Sequence, residues 1–348
     1  MNRLVDYMLN KGSFTPTYST TGDELVKDST TKGSMMRVIV FLGLAYVCFA
    51  DGEWNYNFSG PIGPDHWANR YPACNGSSQS PINIVTSSVM YDSSLGKLQF
   101  NNFDRIPSGA KIMVRNNGHA FQVNFMTPNL FYVHGGGLGA NFTTAQFHMH
   151  LGEDDTRGAE HLIDGQRNAA CIHIVNYNTK YPDISTAANK SDGLAVIGVI
   201  LEVGAENAGL AKVLKYVENV TKVGNVSDLA QEFSLGSLLP SNTDFFRYKG
   251  SLTTPPCYES VTWTVMKTKT TISHDQLMKL RSIMEKDGVH KITDNYRHIL
   301  QPLNGRTVKS NFMGPTTAST TTANPNSAEL LLASIMTFFM AILPFILW

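Results

Sequence analysis

Two histidines two residues apart sit in the run Gln146-Phe147-His148-Met149-His150-Leu151-Gly152. Read as a β-strand, this run points Gln146, His148 and His150 to one face, and Phe147, Met149 and Leu151 to the other. Two imidazoles so placed can reach a single metal ion. His173 lies in a second strand-like run, Ala170-Cys171-Ile172-His173-Ile174-Val175. Three neutral imidazole nitrogens with an open fourth position are the donor set of a catalytic zinc site.

That spacing alone is only moderately specific, since an exposed histidine pair on a strand is often just surface. The neighbours sharpen it. Glu160-His161 falls between the two histidine strands, and His161 is read as structural because three ligands are already assigned. Leu252-Thr253-Thr254-Pro255-Pro256 forms a rigid, turn-like segment. Asn116-Asn117-Gly118-His119-Ala120-Phe121 places a further histidine beside a glycine turn. An imidazole titrating near neutral pH is suited to moving protons. His66, His134, His274, His290 and His298 are read as structural or surface residues.

The elements that must position these groups are mostly strands. Short runs rich in Val, Ile, Phe, Tyr and Thr, broken by Gly, Pro, Asn and Asp, fill residues 51–313. The pattern predicts strands over 111–114, 121–125, 131–133, 145–150, 172–177, 195–203 and 261–265. It predicts helices over 208–218 and 274–286. The reading is one β-dominated domain with short peripheral helices. Apolar residues make up 42% of the 348, enough for a substantial core. Lysine plus arginine equals aspartate plus glutamate at 28 each, which gives no basis for a nucleic-acid partner or for recruitment to an anionic membrane.

Both ends look like processing signals. Residues 1–34 are a polar extension. The segment 35–50 combines Arg37, a short apolar run and Cys48-Phe49-Ala50, the layout of a secretory signal, with Met35 or Met36 as the working start. A signal-anchor with a cytosolic tail is the alternative. Residues 314–328 form a Ser/Thr-rich stalk, and 329–348 an apolar tail with no basic residue after it. Small residues, a polar spacer and an apolar end read as a GPI-attachment signal, with attachment expected around Ala318 to Thr321. The alternative is a retained tail anchor. Six N-x-S/T sequons, at Asn57, Asn75, Asn141, Asn189, Asn219 and Asn225, agree with a lumenal or extracellular location. Removal of Cys48 with the signal leaves Cys74, Cys171 and Cys257, whose spacing allows three pairings. Cys171 shares a strand face with His173, so it is expected to be free and buried, which leaves Cys74–Cys257.

Trp54-x-Tyr56, Gln79–Ile84, Asn116–Phe121, Gln146–Gly152, Glu160-His161, Gly250–Pro256 and Gln301-Pro302-Leu303 resemble the α-carbonic anhydrases in order and spacing, over about residues 54–312. The cysteines, signal and tail resemble the family's GPI-anchored, membrane-associated (IV/XV-like) branch, in which the same cysteine pair is joined. The resemblance implies one domain around a large twisted, mostly antiparallel β-sheet. It implies zinc (Zn2+) on His148, His150 and His173, and hydration of carbon dioxide to bicarbonate and a proton by zinc-bound hydroxide. Thr253 would orient the hydroxide and pass its own proton to Glu160. Val175, Val196, Leu252, Thr253, Thr254, Val261 and Trp263 would form the substrate wall. His119 would shuttle the proton, with Tyr56, Asn117 and Gln122 holding the connecting waters. Gln146 and Cys171 would stand behind the ligands. The expected partners are carbon dioxide, bicarbonate and a GPI lipid on the outer face of the plasma membrane; the sequence identifies no bicarbonate-transporter partner.

Two positions depart from the family pattern. Cys171 stands where the family has a glutamate that accepts the Nδ1–H of the third ligand. Loss of such a partner typically costs about 10–100-fold in metal affinity or activity. A thiolate would replace the charge, or Cys171 could approach the metal itself. Leu151 replaces a tryptophan, which is expected to remove packing under the site. A non-catalytic binding module is the competing reading. The chain keeps all three histidines together with Thr253, Glu160 and His119, which favours the enzyme.

Overall fold

The alternation in the histidine runs is realised as a division between two cores. The computed structural model describes residues 53–58, 60–229 and 232–314. The elements that carry the site are β1 (Ile112–Asn116), β2 (Phe121–Phe125), β3 (Phe142–Leu151), β4 (Ala170–Asn178), β5 (Leu194–Val203), β6 (Phe245–Gly250) and β7 (Val261–Met266). They lie in the order β1-β2-β3-β4-β5-β7-β6 within a 13-stranded sheet among the described residues. Val226–Asp228 extends it beyond β1, and Lys309–Ser310 followed by Met90–Tyr91 extends it beyond β6. Most pairings are antiparallel. β5 runs parallel to β7, as expected of a strand joined to its neighbour by a long crossover.

The central strands are buried on both faces, which is why they read as near-continuous apolar runs. On one face, Phe147, Met149 and Leu151 of β3 pack with Ala170, Ile172 and Ile174 of β4 and Ile197 and Val199 of β5. On the other face Cys171, Val175, Val196, Ile200, Val261 and Trp263 form a second core, beside the histidines. Each fully buried aliphatic side chain contributes roughly 1.5–3 kcal/mol. A one-residue slip of β3 would turn the histidines into the larger core, so the apolar pattern fixes their direction.

The predicted helices form but end early. They are α1 (Ala208–Leu214) and α2 (His274–Leu280). Asn207 caps α1 by accepting from Leu210 N at 3.0 Å, and α2 carries a Ser273/Gln276 capping box. Gln276 also exchanges hydrogen bonds with the Asn207 backbone, tying the two starts together. Beyond α1 the chain tightens into a 3-10 turn at Val217–Val220. Beyond α2, Arg281 donates to Gly152 O and to Asp155, and the backbone then turns at Gly288 with φ +68°. The backbone leaves the helix where Met284 N donates to Thr221 O and Glu285 N to His290 O instead of to the preceding turn.

Cys74 and Cys257 form a disulfide, and Cys171 is free and buried. The cross-link spans 183 residues, so the chain-entropy model assigns it about 5 kcal/mol of constraint on the unfolded chain. It packs with Trp67 in a small third cluster beside Trp54 and Tyr56. Among the described residues no helix is long and apolar enough to cross a membrane. The signal-like, stalk and tail segments lie outside the described residues.

Candidate metal centre

β3 and β4 pair in a register that sets His148 directly opposite His173 and His150 opposite Cys171. One donor atom from each of His148, His150 and His173 lies within 4.8 Å of the others. The surroundings decide which nitrogen that is. His148 Nδ1 donates to Gln146 Oε1 at 2.9 Å, and His150 Nδ1 donates to Asn295 O at 2.6 Å. Their Nε2 lone pairs therefore face each other, 3.0 Å apart. Tetrahedral zinc with bonds of about 2.0–2.1 Å spaces its ligand atoms by roughly 3.3 Å. His173 is turned the other way: its Nδ1 faces the cluster, and its Nε2 points back at Cys171 Sγ, 3.5 Å away.

Glu160 completes the ring of acceptors. Its Oε2 is buried without a hydrogen-bond partner, 3.6 Å from His150 Nε2 and 3.7 Å from His173 Nδ1. Unprotonated nitrogens and an orphaned carboxylate oxygen converging without a donor among them are a cradle for a cation. Burial, then His150, pushes His148 well below the ordinary imidazole range. Burial, His150 and His148 do the same to His173. Both imidazoles are thus held neutral, as metal ligation requires.

Glu160 is itself positioned from several directions. Arg297 N donates to its Oε1 at 2.7 Å, and the Thr253 hydroxyl donates to its carboxylate. Burial raises its pKa, while His150 and these two hydrogen bonds work against the rise. The buried Arg297 guanidinium bonds Gln79 Oε1 at 3.1 Å and Ser80 O at 2.8 Å. Gln79 in turn donates to Cys257 O, so the disulfide end of the Thr253 loop is tied into the same network. Asn295 holds the first histidine strand: its Oδ1 accepts from Leu151 N and its Nδ2 donates to Met149 O and His119 O. Arg297 and Asn295 were not expected from the sequence. Each contact reaches more than a hundred residues along the chain, so no local spacing signals it.

The remaining expected residues gather at the same place. Val175, Val196, Val261 and Trp263 belong to one buried cluster, with Leu252 packed against it. Trp263 sits edge-on to His173 with ring centroids 4.8 Å apart. Thr253 is buried and Thr254 half-buried next to it in the turn. Tyr56 faces His150 at 6.5 Å between centroids. Asn117 donates to Gln122 Oε1 at 2.6 Å, and Gln122 lies opposite His148 across β2 and β3. His119 stacks on Trp54 at 3.8 Å, nearly parallel, half-buried at the rim.

The family model for eukaryotic-type carbonic anhydrase matches residues 62–312. Carbonic anhydrase 1 of Mus musculus is 40% identical over 268 residues, covering 76% of this chain and 100% of that relative. Carbonic anhydrase 1 of Monodelphis domestica is 40% identical over 263 residues, covering 74% of this chain and 98% of its own length. The chain belongs to the eukaryotic-type carbonic anhydrases. The enzyme is a carbonic anhydrase whose cofactor is zinc, and His148, His150 and His173 are the set able to hold it.

Three expectations about this carbonic anhydrase are revised by its geometry. The nitrogen of His173 facing Cys171 is Nε2, not Nδ1, because Nδ1 is the atom turned toward the other ligands. Cys171 does not approach the metal position: its sulfur lies on the far side of the His173 ring. Burial, then the Glu160 carboxylate, pushes its thiol well up, so it is a neutral thiol and no thiolate. Leu151 leaves no exposed gap. It is 1% exposed and packs into the larger core, away from the histidines. His161, expected to be structural, hydrogen-bonds Tyr248 OH at 2.6 Å and stays out of the ligand set.

Proposed function

We propose that this carbonic anhydrase hydrates carbon dioxide at the outer face of the plasma membrane, with His119 carrying the product proton from the site. The convergence of three histidine nitrogens beside the Thr253–Glu160 pair carries the reading. When bound, zinc supplies the Lewis acidity that makes water a nucleophile near neutral pH. Thr253 spends its hydroxyl proton on Glu160, so its oxygen accepts a hydrogen bond from the attacking oxygen and orients a lone pair toward substrate. Its backbone N–H is placed to meet the negative oxygen that develops. The wall of Val175, Val196, Leu252, Val261 and Trp263 holds the apolar gas and excludes water. Thr254 borders that wall on the turn. Tyr56, Asn117 and Gln122 line the route from the ligands to His119 with polar groups.

Imidazole is the side chain suited to accepting and releasing a proton near neutral pH, and His119 brings one to the rim of the site. His119→Ala is expected to lower the turnover number in dilute buffer by about 10-fold or more, the lower reach of general acid–base effects being about 100-fold. Added imidazole is expected to restore it. Stopped-flow hydration checks this, and a His119→Ala enzyme as fast as the parent in dilute buffer would remove His119 from the route.

The surface location rests on the signal-like run, the stalk, the apolar tail and the sequons. The asparagines of all six sequons are exposed, as glycan acceptors must be. In cells expressing the full chain, phosphatidylinositol-specific phospholipase is expected to release the hydration activity into the medium. Activity that stays with the cells after that treatment argues against the lipid anchor.

A further inference from the structure

The cavity lined by His119 and Tyr56 is also lined by two carboxylates, Glu285 and Asp294. Neither belongs to the metal centre. Both are held close to His119 by the backbone. Lys286 N donates to Gly118 O at 3.1 Å, which pins the Glu285 turn on one side. Asn295 Nδ2 donates to His119 O at 2.9 Å, which pins the Asp294 segment on the other. Glu285 is fixed within its turn by its N–H to His290 O and by Gly288 N to its own carbonyl. One cavity is therefore lined by three half-buried residues that can carry a proton, His119, Glu285 and Asp294.

We propose that Asp294, with Glu285 beside it, takes the proton from the His119 imidazolium and passes it to buffer in solution. The inference rests on the reading of His119 as the shuttle. In the step, the imidazolium N–H bond breaks and a carboxyl O–H bond forms, leaving neutral imidazole and neutral acid. Buffer base then removes the proton and restores the carboxylate. The charged groups around Asp294 are Arg157, which favours the carboxylate, and Glu153 and Asp154, which oppose it. Glu285 is faced by Asp287 and His290, with Lys286 next in the chain. Burial dominates in both cases, lifting Asp294 to about 6 and raising Glu285. An acceptor raised to about 6 can hold a proton long enough to pass it on near neutral pH. Ordinary exposed carboxylates, near 4, would hold the proton too weakly to compete.

Heavy-oxygen label exchange between carbon dioxide and water, measured on the intact zinc-loaded enzyme, reads the two stages separately. In dilute buffer the Asp294→Asn, Glu285→Gln double variant is expected to lose severalfold in proton-dependent release of labelled water. Label release draws the proton inward through the same groups, so the loss should be greatest near pH 6 and shrink toward pH 7 and above as Asp294 loses its proton, and added imidazole should reverse it. Label release equal to that of the parent across this range overturns the relay. His119→Ala measured alongside separates the two readings. If it slows release and the double variant does not, the shuttle stands and the relay falls. If neither slows release, both fall.

Discussion

His150→Ala is expected to lose zinc on dialysis and to bring carbon dioxide hydration down to the uncatalysed background. The donor it removes is one of the three that converge among the described residues. Loss of a mere outer partner typically costs about 10–100-fold in affinity, so loss of a ligand must cost more. The substitution also strips Asn295 O of the 2.6 Å hydrogen bond from Nδ1, leaving a buried carbonyl unpaired at about 1–3 kcal/mol. The apo fold should therefore be somewhat less stable as well. Thr253→Val provides the contrast. It removes the hydroxyl bonded to Glu160 but no ligand, so zinc is expected to stay while turnover falls by about 100–1000-fold, the range for losing a preorganised polar group. Chelation of the parent should abolish activity reversibly, with recovery on adding zinc. Metal analysis together with stopped-flow hydration checks all three, and stoichiometric zinc in dialysed His150→Ala would refute the assignment.

The parts of this site that could be read in the sequence are those generated by strand period. His148 and His150 share a face with Gln146 because β3 alternates, and His173 joins them because β4 alternates in register with it. The free Cys171 follows from its place on the same face of β4 as His173, and the Cys74–Cys257 pair is what that leaves, as the family resemblance also implied. Helix ends were less legible. Apolar spacing continues past Leu214 and Leu280, but beyond Leu280 the backbone donors of Met284 and Glu285 turn to Thr221 O and His290 O from other segments. Least legible were Asn295 and Arg297, polar residues in a loop whose local pattern suggests exposure. Each is buried because its partners arrive from distant segments: β3 for Asn295, and Gln79, Ser80 and Glu160 for Arg297. Which nitrogen of His173 faces Cys171 is set by the rotation of the ring, which strand period does not encode, so the ligand was legible while the atom taken over from the resemblance was not the right one.

Cys171→Glu is expected to slow zinc dissociation by about 10–100-fold. His173 Nε2 meets only a thiol sulfur at 3.5 Å, and a neutral thiol is a weak acceptor. The Nε2–H of this ligand is thus poorly held, whereas His148 and His150 donate to a side-chain amide oxygen and a backbone carbonyl at 2.9 and 2.6 Å. A carboxylate at 171 would accept the Nε2–H, fix the ring and make Nδ1 a better donor to the metal. Two costs oppose this. Position 171 is 2% exposed, so a larger side chain overpacks the second core by about 1–3 kcal/mol. A second buried carboxylate also joins Glu160, whose charge already acts on Cys171. The electrostatic cost falls mainly on the apo protein, because bound zinc compensates the added negative charge, while the overpacking is shared by both forms. The variant should therefore be less stable than the parent without zinc, yet release zinc more slowly. Transfer of zinc to a chromogenic chelator, followed alongside thermal unfolding of the apo forms, separates the two effects. Equal off-rates in parent and variant would mean that the thiol already supports His173 as well as a carboxylate does.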